Sequence, residues 1–134
     1  MKVYKVWILF TSMILISWSL SAQIGNYSEN EVSDYIQSLI GGEREVSVTS
    51  GRVDLVHAEH AYEVEWASKW KESIGQSLWY AQQLNKKPGI ILLMKSKEDY
   101  KYFLQLSSSL SYAGLDDKIR IVVFPDDFKE FIPD

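Results

Sequence analysis

Residues 51–93 read GRVDLVHAEHAYEVEWASKWKESIGQSLWYAQQLNKKPGIILL. Arg52–His57 alternates, with Val53 and Leu55 on one side of a strand and Asp54 and Val56 on the other. Ala58–His60 makes a turn, and Ala61–Trp66 alternates again. There Glu63 and Glu65 share one face, while Tyr62, Val64 and Trp66 share the opposite one. A long helical signal follows from Ser68 to Lys86, with Trp70, Ile74, Leu78 and Ala81 as its apolar stripe. Asn85 to Gly89 closes it, with Pro88 as the breaker. Ile90–Met94 is short and wholly apolar, which suits a central strand covered on both faces.

Upstream, Ser28–Ile40 is expected to be a helix. Ser28 caps it, Glu31 is the capping-box partner, and Val32, Tyr35, Ile36, Leu39 and Ile40 share one face. Gly41-Gly42 ends it. Glu45–Thr49 is expected to be a strand and Ser50-Gly51 a tight turn. Downstream, Glu98–Leu106 reads as helix, Ile119–Phe124 as the last strand, and the tail Pro125–Asp134 as a cover over one sheet edge. The order is α-β-β-β-α-β-α-β. Three meandering strands and a helical crossover to an apolar strand predict an α/β protein with a mixed central sheet flanked by helices.

The chain has 134 residues, no cysteine and a formal charge of −4. That size fits one domain. The lack of cysteine excludes disulfide staples, thiolate zinc sites and thiol nucleophiles. An acidic chain offers no global field for nucleic acid. Residues 1–22 read as a secretory signal. Lys2 and Lys5 are followed by an uncharged run, Val6 to Leu20, and then by the small residues Ser19-Leu20-Ser21-Ala22. The uncharged run is shorter than the roughly 20 residues a membrane span needs. Cleavage after Ser21 or Ala22 is therefore expected, leaving 23–134 as the folded domain of an exported (periplasmic or secreted) protein. An uncleaved segment would be its only attachment to a membrane. Loss of Lys2 and Lys5 moves the charge two units further negative than −4.

Asp54 stands on one strand, and Glu63 and Glu65 on the next. A short turn between antiparallel strands brings same-face residues together. Crowded carboxylates repel unless solvated, protonated or neutralised by a cation. A hard ion such as Mg2+ or Mn2+ takes carboxylate oxygens and can activate water at a phosphoryl group. A solvated outer sheet face is the plain alternative. On the long helix Lys69, Ser73, Gln76, Tyr80 and Gln83 form a polar stripe, and Lys69 lies four residues after Glu65.

Taken together, Arg52-Val53-Asp54, Tyr62-Glu63-Val64-Glu65-Trp66-Ala67-Ser68-Lys69-Trp70, Ile74-Gly75-Gln76-Ser77-Leu78-Trp79-Tyr80-Ala81 and Lys87-Pro88-Gly89-Ile90-Ile91-Leu92-Leu93 resemble the PD-(D/E)XK nuclease superfamily. The likeness is to its small restriction-endonuclease-like proteins. It implies a restriction-endonuclease-like α-β-β-β-α-β core and magnesium-dependent hydrolysis of nucleic-acid phosphodiester bonds, DNA included. Asp54 and Glu63 would be the first and second metal-binding acids, with the Val64 carbonyl as a further ligand. Gln76 and Tyr80 would match a Gln-x-x-x-Tyr motif that contacts substrate. A glutamate of the first helix would complete the site, Glu31 being best placed and Glu29 competing. One position departs: the lysine two residues after the second acid is Glu65 here. Glu65 could add a metal ligand but cannot donate as an ammonium does. Lys69 would then supply the charge from the helix. The alternative is a catalytically inactive binding module on the same fold.

His57 and His60 flank the turn between the acidic strands and read as an exposed turn pair rather than ligands. Trp66 and Trp70 are expected to pack between sheet and helix. There is no phosphate-binding glycine loop and no nucleophile elbow.

Overall fold

The computed structural model describes residues 24–132. The expected signal sequence, residues 1–22, lies outside the described residues. The elements run α1 (Glu29–Ile40), β1 (Glu43–Val48), β2 (Gly51–His57), β3 (His60–Trp66), α2 (Trp70–Leu84), β4 (Lys87–Leu93), α3 (Tyr100–Tyr112) and β5 (Arg120–Phe124). Short 3-10 turns precede α2 and α3, and a third, Asp126–Phe131, follows β5.

The five strands form one sheet in the order β1-β2-β3-β4-β5. β1, β2 and β3 are mutually antiparallel, and β3, β4 and β5 are parallel. The chain is thus α/β with a mixed sheet flanked by helices, as its alternation predicts. Ile90, Ile91, Leu92 and Leu93 of β4 are fully buried, because helices cover both faces of this strand. On one face α1 contributes Val32 and Ile36 to a core with Leu55, Tyr62, Val64, Ile91, Leu93 and Phe124. On the other, Trp70, Leu106 and Leu110 from α2 and α3 close over Ile90, Leu92 and Val123. Phe128 of the tail is buried against the α1 side, so the tail does cover the sheet.

Local chemistry sets the ends of the elements. The Ser28 hydroxyl accepts from the Glu31 amide at 3.2 Å, and Glu31 Oε2 accepts from the Ser28 amide at 2.7 Å, closing the capping box. Asn85, at φ 51°, ends α2 in the left-handed region that asparagine tolerates. Pro88 breaks no helix: it lies in β4, opposite Ala61. α3 extends to Tyr112, past the expected Leu106, which is itself buried.

Two expectations about the strands need correction. The tight turn is Thr49-Ser50, since Val48 pairs with Gly51, and Ser50 carries the positive φ of 64°. Gly51 belongs to β2, where an added Cβ would come within 2.3 Å of the Tyr80 hydroxyl, so its lack of a side chain makes room for α2. Val53 and Leu55 do not share a core: Val53 packs with Tyr80 and Ala81, whereas Leu55 packs with Ile36. Trp66 and Trp70 both pack between sheet and helix, on opposite faces: Trp66 on the α1 side and Trp70 on the α2 side.

Candidate functional site

The break in β2 lies at Asp54. Beyond it the β2–β3 ladder, which runs from His57↔His60 to Leu55↔Tyr62, stops. In its place the Asp54 carboxylate accepts the Val64 amide at 2.8 Å. On the other side of β2 the ladder to β1 omits the residues that its register would set opposite, Glu45 and Asp54. Glu45 has φ 56°, a conformation that side chains other than glycine seldom adopt. The two strands fork here, and a side chain takes over a backbone hydrogen bond.

Glu63 projects into the fork. It is 6% exposed, and its Oε1 is buried without a hydrogen-bond partner. Burial, then the charge of Asp54 and a hydrogen bond with it, push the Glu63 carboxyl up to about 9. At neutral pH Glu63 therefore carries a proton and donates to Asp54. Asp54 is also raised, mainly by burial, against the opposing pull of the Val64 amide and the Arg44 charge.

A second carboxyl pair lies beside the first. Glu29, at the start of α1, is raised to about 8 by burial, by a hydrogen bond with Glu65 and by the charges of Glu65 and Asp54. Glu65 also accepts the Trp66 amide at 2.9 Å. The Lys69 ammonium opposes the rise at Glu29, so its charge is felt at this second pair. Four acids from three elements, Asp54, Glu63, Glu65 and Glu29, thus converge.

Of the two glutamates considered on the first helix, Glu29 joins the site. Glu31 is exposed, and both Ser28 groups bind its carboxylate. The capping box that marks the helix start also removes Glu31 from candidacy. Gln76 and Tyr80, one turn apart on α2, hydrogen-bond each other, and the charges of Glu63 and Asp54 help raise the Tyr80 phenol after burial. Tyr80 is 9% exposed and walls the site, while Gln76 is exposed at its rim. Ser73 does not belong to the polar stripe: it is fully buried and donates to the Trp70 carbonyl. Gln83 binds both backbone groups of Thr49 and so fastens the β1–β2 turn.

Arg44 was not foreseen. Its guanidinium donates to the Asp54 carbonyl and to Asp34, from beneath the fork. Arg44 stands opposite Leu55 in the β1–β2 ladder, and this register places it on the α1 side of the sheet. The histidines stay apart from the acids. His60 stacks on Tyr62 at 5.4 Å, and burial with the nearby charges of Arg120 and Lys87 holds it below the usual imidazole value.

Among the described residues, no three histidine, aspartate or glutamate side chains form a ready-made metal-ligand set. The donor chemistry still fits a cation. All four groups are hard carboxylates, and the orphaned Glu63 Oε1 is a desolvated acceptor with nothing to accept. A divalent ion entering the fork would displace the protons and satisfy that oxygen. No protein-family model, curated protein or solved structure matches the chain.

Proposed function

We propose that the protein is an exported, magnesium- or manganese-dependent nuclease of restriction-endonuclease-like architecture, hydrolysing nucleic-acid phosphodiester bonds at the β2–β3 fork. One observation carries the reading: the buried Glu63 oxygen without a partner, beside Asp54. A carboxyl kept dry and unsatisfied costs stability, about 1–3 kcal/mol for an unpaired buried polar group, and is best explained by a ligand that completes it.

In this reading Asp54 and Glu63 hold the ion, with Glu65 and Glu29 on its flank. The bound ion supplies a Lewis acid for the phosphoryl oxygens and lowers the pKa of water. Lys69 offsets charge near Glu29 and Glu65, and Gln76 and Tyr80 meet the substrate at the rim. Export rests on residues 1–22 and is part of the same proposal.

A second reading has its own support. Glu65 stands where the resembled family has lysine, and its carboxylate is occupied by the Trp66 amide and Glu29. This favours an inactive binding module on the same scaffold. Purified protein with Mg2+ or Mn2+, incubated with plasmid and with single-stranded DNA, separates the two. The nuclease reading expects cleavage that Asp54→Ala abolishes, and activity that survives Asp54→Ala eliminates the assignment. No cleavage and no metal binding favour the module.

A further inference from the structure

Arg44 lies on β1, the outer strand, yet its side chain is only 9% exposed. Its Nη1 donates to the backbone carbonyl of Asp54. Its Nε donates to Asp34 Oδ1 at 3.0 Å, and its Nη2 reaches Asn30 Oδ1 at 3.4 Å. Glu45 Oε1 lies 3.4 Å from Nη1. Asn30 and Asp34 both belong to α1, and Asn30 is the neighbour of Glu29. One flat, rigid group therefore ties the strand that carries Asp54 to the helix that carries Glu29. Glu45, the next residue, has a left-handed backbone where the β1–β2 ladder is interrupted. Unusual backbone of this kind persists only where surrounding contacts hold it.

We infer that Arg44 is a positioning residue of the acidic site: it bridges α1 to the Asp54 carbonyl and so fixes the Asp54–Glu63 pair relative to Glu29 on α1. The inference rests on the cation-site reading above. A guanidinium presents several donors in a fixed fork, whereas an ammonium is a point donor on a flexible stem. Lysine can supply the charge but cannot span Asp54, Asp34 and Asn30 together. The bridge and its charge are thus separable by substitution.

The test uses the full chain as wild type, Arg44→Lys, Arg44→Met and Asp34→Ala. Asp34→Ala removes one anchor at a side chain that is 70% exposed, where truncation is expected to leave folding intact. Amide hydrogen exchange at Val64 reads the bridge without metal, because that amide is bonded to the Asp54 carboxylate. Mn2+ titration reads the site. The expected result is Val64 exchange at least tenfold faster in Arg44→Lys and Arg44→Met, with Ile91 unchanged. Mn2+ binding should be at least tenfold weaker in both, and Asp34→Ala should move both readouts by a smaller factor in the same direction. Full rescue by lysine, or Val64 exchange within twofold of wild type in the variants, overturns the inference. If the Arg44 variants fail to fold, unchanged readouts in Asp34→Ala overturn it. Wild type that binds no Mn2+ defeats the cation-site reading instead, and the exchange data still decide whether the bridge exists.

Discussion

β3 and β4 lie side by side, and Glu63 is paired in register with Ile90. Both side chains are buried, Ile90 fully and Glu63 to 6% exposure. Ile90 sits in a core closed by Trp70, Leu106 and Leu110. Glu63 sits in a fork between strands with one oxygen unpartnered. The β4–β5 pair is built for stability, since each side chain it buries is apolar and its ladder runs unbroken from Gly89↔Arg120 to Leu93↔Phe124. The β2–β3 pair gives up ladder bonds at Asp54 and buries Glu63 there. Two adjacent positions of equal burial thus contribute with opposite sign, and the unfavourable one marks the candidate site.

The sharpest way to break this contrast is a pair of substitutions followed by urea denaturation at pH 8 without metal. Leu92→Ala should destabilise by about 2–5 kcal/mol through the cavity it leaves. Glu63→Met should stabilise by about 1–3 kcal/mol, because it removes an unsatisfied buried carboxyl at similar volume. A Glu63→Met protein that unfolds as readily as Leu92→Ala would show that Glu63 is structural.

Gly51→Ala is expected next in size. Its Cβ would meet the Tyr80 ring and hydroxyl at 2.3–2.7 Å, and displacing this buried ring should cost about 1–3 kcal/mol by overpacking. Thermal unfolding checks it, and Gly75→Ala is the control, since nothing lies within 4 Å of a Cβ there.

The acidic half should also respond to pH where the apolar half does not. Glu63 and Glu29 bind their protons more tightly when folded, at about 9 and about 8, than the ordinary 4.5. Their contribution is thus fully present below about pH 4.5 and is lost as pH rises toward 9. Metal-free stability should fall over that window, and Glu63→Gln should flatten the fall. Affinity for a divalent ion should rise over the same window, because the ligands must lose their protons. A stability that rises steadily from pH 5 to pH 9 would contradict the upward shift of Glu63 and Glu29.

The smallest expected effect is at the β1–β2 turn. Ser50 has φ 64°, which glycine adopts without strain, so Ser50→Gly should be stabilising by no more than about 1 kcal/mol. Mean denaturation midpoints from repeated urea titrations would detect it.

Much of this was legible in the sequence. Ser28 and Glu31 announce the start of α1, and the uninterrupted Ile90–Leu93 run announces the central strand. The two-residue alternation sets Asp54 and Glu63 on neighbouring strands. What escaped the reading depends on breaks in regular geometry. Period-two logic keeps Val53 and Leu55 together, but the fork at Asp54 sends them to different cores. Arg44 binds α1 and the Asp54 carbonyl together, partners that the alternation of β1 does not assign. Glu29 was distinguishable in principle from Glu31, since a capping-box glutamate has its carboxylate already engaged. Pro88 lies in a strand because Ala61, opposite it, belongs to the same buried sheet.

Calorimetric titration of Mn2+ into the full chain at pH 8, beside Asp54→Asn, tests the central claim most directly. The account predicts saturable binding of the ion to the wild type with release of protons, and no binding to Asp54→Asn. Absence of binding to the wild type, or equal binding to both proteins, would contradict it.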